Sequence, residues 1–575
     1  MKRILGLNCL HPDTSAALIL NDKLSVAIEE ERINRKKHTS DFPKLSIYEC
    51  LKISNIDSEE ITDIAFNTNP NSNFFNKSLF FLKNFNFKKN PRLLERLKKK
   101  NNLDTIIKKE INLNKKVKFH FIEHHLSHIS SAYYPSKFKN AVGLSIDGSG
   151  DFVTLAISIC KLNKIKIIKK CYFPNSLGIF YTAMTQFLKF NNFGDEYKIM
   201  GLAPYGKPIY FEKLNNLLFK KESNFYNLSY KYLLHNKSNF IYDFSTNKIP
   251  TIYSSQFEDL FKNEKKKYKN IKDFNTNFSA SIQKVYEFHF KNIINWIKKE
   301  EISKNLVYAG GCALNSTANN FLINNKYFKN IYIPFAPGDN GGSLGAAFYT
   351  FYNYSDKIEL KNINTPYLGN EYFDEDIEKI LLQKKYKKKL KYKKFKYFND
   401  LCDEASRLIS NNKIVGWFQG KMEFGPRALG NRSILGDPRN PNMKDIINSK
   451  IKKRENFRPF APSILFDQQK HWYVETFNSE FMSSTLKIKK DKRKLVPAVV
   501  HCDDSSRAQS IKKINNGKFY QLIKSFYKKT NVPMLLNTSF NESEPIVRKP
   551  QEALDCLLRT DLDAIFINNF YIKKK

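Results

Sequence analysis

Three histidines fall within five residues at His124-His125-Leu126-Ser127-His128. On a helix that starts here, His124 and His128 stand at i and i+4 on one face. That spacing lets two imidazoles share a metal ion, while His125 points elsewhere. Asp147 ends the next apolar strand in a turn that could aim its carboxylate at the same spot, and Asp339 lies in a glycine-rich loop at another strand end. In open α/β sheets, ligand sites gather at the carboxyl ends of strands. Two imidazoles and two carboxylates suit Fe(II), Mn(II) or Zn(II), and ligand type alone does not choose among them. His11, beside Pro12 and Asp13 at the end of the first strand, has the chemistry of a general base near neutral pH.

A second set of residues suits phosphate. Gly310-Gly311-Cys312-Ala313-Leu314-Asn315 and Gly338-Asp339-Asn340-Gly341-Gly342-Ser343 each follow a strand and open a helix, where backbone N–H groups can hold an anion. Gly148, Gly310, Gly311 and Asn315 are the candidates on this side, and neither loop has the P-loop or dinucleotide-fold spacing. Further on, Gly420-Lys421-Met422-Glu423-Phe424-Gly425-Pro426-Arg427 and Lys452-Lys453-Arg454-Glu455-Asn456-Phe457-Arg458-Pro459 set cations between rigid prolines, glycines and aromatics. Arg507 and Asn537-Thr538-Ser539 add a guanidinium, amides and hydroxyls. Such preorganised groups suit bidentate binding of phosphate or carboxylate. The competing reading is structural pairing of the cations with Glu423, Glu455 and Asp437.

The elements that position these residues read as α/β. Strands are expected at 4–8, 117–122, 141–146, 306–308, 331–333 and 414–418, with a hairpin over 16–28. Helices are expected at 45–53, 177–188, 278–297, 400–410 and 520–529. The stretches 70–115 and 208–270 are rich in Lys, Asn and aromatics; the first reads as helical and the second as an insertion. At 575 residues the chain exceeds one core, and a boundary is expected near 365, giving domains 1–360 and 368–575. No internal sequence repeat is visible, although a structural duplication of the first part fits the pattern.

Composition excludes several classes. No apolar run reaches the length of a membrane span, and the N-terminus lacks a signal-peptide pattern, so a cytoplasmic protein is expected. Eight scattered cysteines without a CxxC pair argue against disulfides and thiolate zinc sites. The formal charge of +40 is spread along the whole chain rather than gathered on one arm, so nucleic acid is not the expected partner.

These motifs resemble those of the O-carbamoyltransferase family that includes NodU, CmcH and TobZ. The resemblance rests on His11-x-Asp13-x-Ser15-Ala16-Ala17-Leu18, on Glu29-Glu30-Glu31-Arg32 with Arg35-Lys36-Lys37-His38, and on His124-His125-x-x-His128. It continues through Met200-Gly201-Leu202-Ala203-Pro204-Tyr205-Gly206 and the loops at 310–315, 424–433, 457–462 and 537–541. The resemblance implies an N-terminal domain of the actin-like ATPase superfamily (ASKHA), TsaD/Kae-like with duplicated ribonuclease H-like halves, followed by a YrdC-like α/β domain. It implies that carbamoyl phosphate and ATP form carbamoyl adenylate in the second domain. The carbamoyl group then passes to a hydroxyl of a small-molecule or glycan acceptor in the first. It also implies Fe(II), or another divalent metal, on His124, His128, Asp147 and Asp339, with His11 as base and Lys37 nearby. Arg427, Lys452, Arg458, Arg507, Asn537 and Ser539 would hold carbamoyl phosphate and nucleotide. Lys36 against Lys37, and Lys452 against Lys453, are ambiguous by one position; Lys37 is favoured because it directly precedes His38. A homodimer is left open. The rival readings are a tRNA threonylcarbamoyl-type enzyme, against which the fused domains speak, and a non-catalytic nucleic-acid-binding protein of the same scaffold, which would have lost the metal and cation residues. A third, an actin-like sugar kinase, has no use for the C-terminal arginines.

Overall fold

A computed structural model describes residues 2–84, 91–220, 225–237, 249–354, 359–475 and 477–575. The chain divides into two units, one of Met1–Glu31 with His38–Asn364, the other of Arg32–Lys37 with Thr365–Lys575. The short segment Arg32–Lys37 thus departs from the domain around it in sequence. Its side chains explain why: Arg32 Nη2 donates to the Gly425 carbonyl at 2.6 Å, and Arg35 donates to Pro545 and Ile546 at 2.5 and 2.8 Å.

The first unit holds two five-stranded sheets. One contains β1 (Arg3–Asn8), β2 (Ser15–Leu20), β3 (Lys23–Glu29), β4 (Asp63–Phe66) and β5 (Lys118–Phe121); the other contains β6 (Asn140–Gly150), β7 (Val153–Lys161), β8 (Lys164–Tyr172), β9 (Asn305–Ala309) and β10 (Asn330–Tyr332). Their orders are β3-β2-β1-β4-β5 and β8-β7-β6-β9-β10. In each, an antiparallel three-stranded meander is extended by two parallel strands. Two halves with one topology make this unit a structural duplication without a visible sequence repeat. The central strands β1 and β6 are buried along most of their length, as expected for strands covered on both faces. Gly345, on the helix Gly342–Tyr354, shows how closely the cover packs. A β-carbon there would collide with the Ser127 carbonyl of the helix His124–Ser136.

The stretch read as an insertion is part of the core. Leu214, Phe257 and Phe261 are fully buried with Phe187, Phe274 and Phe278, and the Phe187 and Phe278 rings lie 4.7 Å apart. Burying each such ring contributes about 1.5–3 kcal/mol. The aromatics here follow no helical or strand period, which is why the pattern missed them; 221–224 and 238–248 lie outside the described residues. The expected helical character of 70–115 is met by Phe74–Asn84, Pro91–Asn101 and Leu103–Glu110, with 85–90 outside the described residues.

The second unit is built on an eight-stranded mixed sheet. Its strands are β11 (Leu390–Lys394), β12 (Val415–Phe418), β13 (Arg432–Gly436), β14 (Ala461–Leu465), β17 (Gln509–Ile511), β18 (Met534–Ser539), β19 (Ala564–Ile567) and β20 (Phe570–Lys574), and a separate pair joins β15 (Leu486–Lys487) to β16 (Ser505–Ser506). The large sheet runs β11-β20-β19-β12-β13-β18-β14-β17. The helices Phe398–Ser410 and Gly517–Thr530 meet through Ser406 and Ser525, whose hydroxyls lie 2.8 Å apart. No helix among the described residues is long and apolar enough to cross a membrane.

Candidate metal centre and cation cluster

In the first unit, the helix His124–Ser136 starts at His124, with Glu123 as its cap accepting the Leu126 N–H at 2.9 Å. His124 and His128 therefore share one face, and their Nε2 atoms lie 3.0 Å apart. Asp147 Oδ2 stands 3.2 Å from both, and Asp339 Oδ1 stands 3.4 and 3.5 Å from them. The other oxygen of Asp147 is tied down, accepting the N–H groups of Gly148 at 2.8 Å and Gly311 at 3.1 Å. Asp147 reaches this place from an extended strand and not from a turn: β6 runs through to Gly150, with its pairing register broken between Ile146 and Gly150. His125 is structural. Its ring bridges Ser145 Oγ at 2.8 Å and the Val153 carbonyl at 2.9 Å, and burial holds it neutral, well below the usual histidine range.

The electrostatics show what this centre can hold. Burial opposes the charged imidazole of His124, yet Asp147 and Asp339 outweigh burial and push it up to about 10. Burial likewise opposes ionisation of Asp147, but the two histidines hold it well below the usual carboxylate range. Two imidazole nitrogens 3.0 Å apart cannot both carry a proton along the line between them. Asp339 Oδ1 is buried without a hydrogen-bond partner. One cation among these four atoms satisfies every group, so the residues fit a divalent metal. His11 lies beside the centre: it is 3 % exposed and its ring stacks on His124 at 4.6 Å.

The glycine loops do a different job from the one their sequence suggests. The N–H of Gly148 and that of Gly311 go to Asp147, and that of Gly310 goes to the Pro337 carbonyl at 2.7 Å. Asn315 caps the helix Ser316–Asn324 and pairs with the Gln283 amide at 3.1 and 3.2 Å. These four residues position the metal centre and its supporting helix, and their donors are already engaged. A further group, Asp13, Glu31 and His38, was not singled out as a site from the sequence. His38 Nδ1 lies 2.8 Å from Asp13 Oδ1, and the His38 N–H donates to Glu31 Oε2 at 3.1 Å.

In the second unit, a π-helical turn over Ile447–Lys452 ends in the left-handed residue Lys453. The turn sends Lys452 inward and Lys453 outward, where Lys453 pairs with Glu542 at 2.7 Å. Lys452 Nζ meets the Ser539 carbonyl at 2.6 Å, the Asn541 carbonyl at 2.8 Å and Asn541 Oδ1 at 2.6 Å. Burial, then Arg454, presses its pKa well below the usual lysine range, and Lys37 adds to the effect. Lys37 thus groups with this unit and acts on Lys452. Burial alone lowers Arg427 to about 10, and burial with neighbouring Arg427 and Arg454 lowers Arg507 well below its usual range. Arg454 belongs to this cluster, although the expected ligand set took only Lys452 and Arg458 from its motif.

Of the carboxylates that might have neutralised these cations, Glu423 and Asp437 are engaged elsewhere, whereas Glu455 does pair with one of the expected ligands, Arg458. Glu423 accepts the N–H groups of Leu429 and Arg432, Asp437 pairs with Arg439 at 2.6 Å, and Glu455 pairs with Arg458 at 2.8 Å. Arg432 donates to four backbone carbonyls and lies over the Phe418 ring, so its charge is held structurally. Asn537, on β18, donates to the Ala428 carbonyl and Ser463 Oγ, while its Oδ1 is buried without a partner. Ser539 Oγ donates to Asn541 Oδ1 at 2.7 Å.

One unit thus carries a two-histidine, two-carboxylate centre and the other a cluster of cations around the buried Lys452. Residues 3–348 match the carbamoyltransferase N-terminus family and residues 406–574 the carbamoyltransferase C-terminus family; the chain belongs to the carbamoyltransferases. It is 34 % identical to an uncharacterized protein of Synechocystis sp., covering 100 % of this chain and 97 % of that one. It is 31 % identical to the nodulation protein NolNO of Sinorhizobium fredii, over 99 % of this chain and 80 % of the relative. Among solved structures, full-length HypF in its phosphate- and nucleotide-bound form overlaps at a TM-score of 0.32 and 15 % identity, over 62 % of this chain and 47 % of that one.

Proposed function

We propose that the chain is an O-carbamoyltransferase that makes carbamoyl adenylate from carbamoyl phosphate and ATP in its C-terminal unit. Its N-terminal unit then transfers the carbamoyl group to a hydroxyl of a sugar or specialised metabolite. In this reading the first unit is actin-like and TsaD-like, which its repeated strand order supports, and the second is YrdC-like. The enzyme acts in the cytoplasm.

The observation that carries the reading is the Arg427–Arg507 cluster. Burial, then the charge of Arg427, lowers Arg507, and neither guanidinium has a carboxylate partner among the described residues. A bound dianion supplies the missing charge, with about 1.5–3 kcal/mol for each charged hydrogen bond. Carbamoyl phosphate is such a dianion, and the buried, unpartnered Asn537 Oδ1 adds an acceptor for its N–H groups that tells its ends apart. The balance of the first step is one carbamoyl phosphate, one ATP and one water giving carbamoyl adenylate, phosphate and pyrophosphate.

In the second step His11 takes the proton of the acceptor hydroxyl, whose oxygen attacks the carbamoyl carbon as AMP departs. A divalent metal held by His124, His128, Asp147 and Asp339, iron in this reading, would supply Lewis-acid stabilisation of charge growing on the carbamoyl oxygen. Asp147 is held for this by two backbone N–H groups, which leave its second oxygen aimed at the histidines. The test is a panel of sugars and hydroxylated metabolites incubated with protein, ATP and carbamoyl-labelled carbamoyl phosphate. Label recovered in a stable carbamate ester of one acceptor supports the reading. Label confined to carbamoyl phosphate and its breakdown products across a broad panel counts against it.

A further inference from the structure

The helix Phe74–Asn84 of the first unit carries apolar side chains on two sides. On one side Phe80 packs against Phe152 and Phe173, with ring centres 5.5 and 5.3 Å apart, and Phe81 meets Phe152 at 6.4 Å. On the other, Phe75, Leu79 and Leu82 stand at i, i+4 and i+7, one above another along the outward face. Phe75 is 74 % exposed, Leu79 39 % and Leu82 82 %, and neighbouring Phe74 is 71 % exposed. A single exposed leucine is ordinary, whereas four large apolar side chains within nine residues of one helix mark a contact surface.

Cations accompany the stripe. Lys83 lies exposed on the same helix, and Lys170 of the edge strand β8 reaches Asn73 Oδ1, just before the helix, at 3.0 Å. From 74 to 100 the sequence holds nine Lys or Arg and one acid, Glu95. That is a net +8 over 27 residues, about four times the density of +40 over 575, so the lysine content of the whole chain does not account for it. Lys98 and Lys99 are exposed on the next helix, Pro91–Asn101, where Lys99 pairs with Glu95 at 2.9 Å.

We propose that the helix Phe74–Asn84, with the basic stretch that follows it, is a docking surface for an anionic lipid bilayer. Phe and Leu on one face with Lys beside them is the make-up of a helix that lies in the headgroup layer. The apolar side chains enter the acyl boundary, and the ammonium groups meet the anionic headgroups. At 11 residues the helix is about 16 Å long, so it lies on a bilayer and does not cross the ~30 Å core. A second copy of this chain would bring two such positive segments together, and like charge opposes that contact. A nucleic acid would answer the charge but offer Leu79 and Leu82 no apolar layer to enter.

The test is cosedimentation of the full-length protein with vesicles of phosphatidylcholine, alone or with about a third phosphatidylglycerol, in the absence of ATP and carbamoyl phosphate. The parent is expected to bind the anionic vesicles at least about tenfold more tightly than the neutral ones, with affinity falling as salt rises. Phe75→Gln/Leu82→Gln, which leaves every charge in place, is expected to weaken that binding at least about tenfold while keeping the parent's circular dichroism spectrum. Lys98→Gln/Lys99→Gln is expected to weaken it about tenfold as well. Ile514→Gln, at a 91 % exposed apolar side chain of the second unit, is expected to stay within about twofold of the parent. A parent that does not bind anionic vesicles, or binds both kinds equally, overturns the inference. Binding that survives in Phe75→Gln/Leu82→Gln also overturns it, since that is plain adsorption of a basic protein. A parent dimer that light scattering shows to become a monomer in Phe75→Gln/Leu82→Gln gives the stripe to a second copy, and overturns it too.

Discussion

A β-carbon at Gly150 would fall on the imidazole ring of His124. The next residue, Asp151, accepts the His124 backbone N–H at 3.0 Å, and also the Thr68 hydroxyl at 2.6 Å and the Asn69 N–H at 2.7 Å. The end of β6 thus fixes His124 by shape on one side and by a hydrogen bond on the other. The Nδ1 atoms of His124 and His128 are buried without partners, so packing replaces the usual polar support of a ligand ring. Gly150→Ala is expected to weaken Fe(II) binding at least about tenfold, measured by anaerobic titration calorimetry, with an unchanged far-ultraviolet circular dichroism spectrum.

The cation cluster sets substrate binding against stability. Arg507 sits close to Arg427 and Arg454 with its Nε buried and unpartnered. Arg507→Met is expected to raise the melting temperature of the ligand-free protein by about 2–4 °C, since it removes a buried repulsion. The same variant is expected to lose the stabilisation that added phosphate or carbamoyl phosphate gives the parent, with affinity down about 10- to 100-fold. Differential scanning fluorimetry with and without each anion reads both effects.

The two half-reactions are expected to separate by mutation. His11→Ala leaves carbamoyl-phosphate-dependent pyrophosphate release in place and lowers transfer to an acceptor about 100-fold or more. Arg427→Ala blocks pyrophosphate release itself. Transfer that persists undiminished in His11→Ala would remove His11 from the role of base.

Acid is expected to destabilise the first unit through histidines outside its metal centre. Burial lowers His235 and His289 to about 4, against about 6.5 in the unfolded chain. Between those values the unfolded chain binds the protons first. The contribution of each neutral ring is therefore present above pH 6.5 and lost as pH falls toward 4, up to about 3 kcal/mol apiece. The melting temperature is expected to drop steeply over that window, and His289→Gln to make the drop shallower.

The pairing of His124 with His128 was legible because its geometry is local. Two histidines four residues apart need only a helix to share a face, whereas Asp147 sits within β6 and Asp339 opens the turn Asp339–Gly341, and only the fold brings these two to the histidines. Most strands and helices were legible for the same reason, from period and apolar runs. The Gly310 and Gly311 loop misled because sequence shows where N–H groups are exposed on an isolated turn, not that Asp147 and Pro337 already accept them. The segment Arg32–Lys37 was illegible in its role, since it acts through a partner far along the chain, Arg35 on Ile546. Likewise the aromatics of 208–270 enter the core without any repeat that a pattern could register.

The most direct measurement is exchange of labelled pyrophosphate into ATP by the purified, metal-loaded protein with no acceptor present. Exchange that begins only when carbamoyl phosphate is added, and that disappears in Arg427→Ala, is the predicted result. No exchange under these conditions, or exchange at the same rate without carbamoyl phosphate, would contradict activation of the carbamoyl group by this chain.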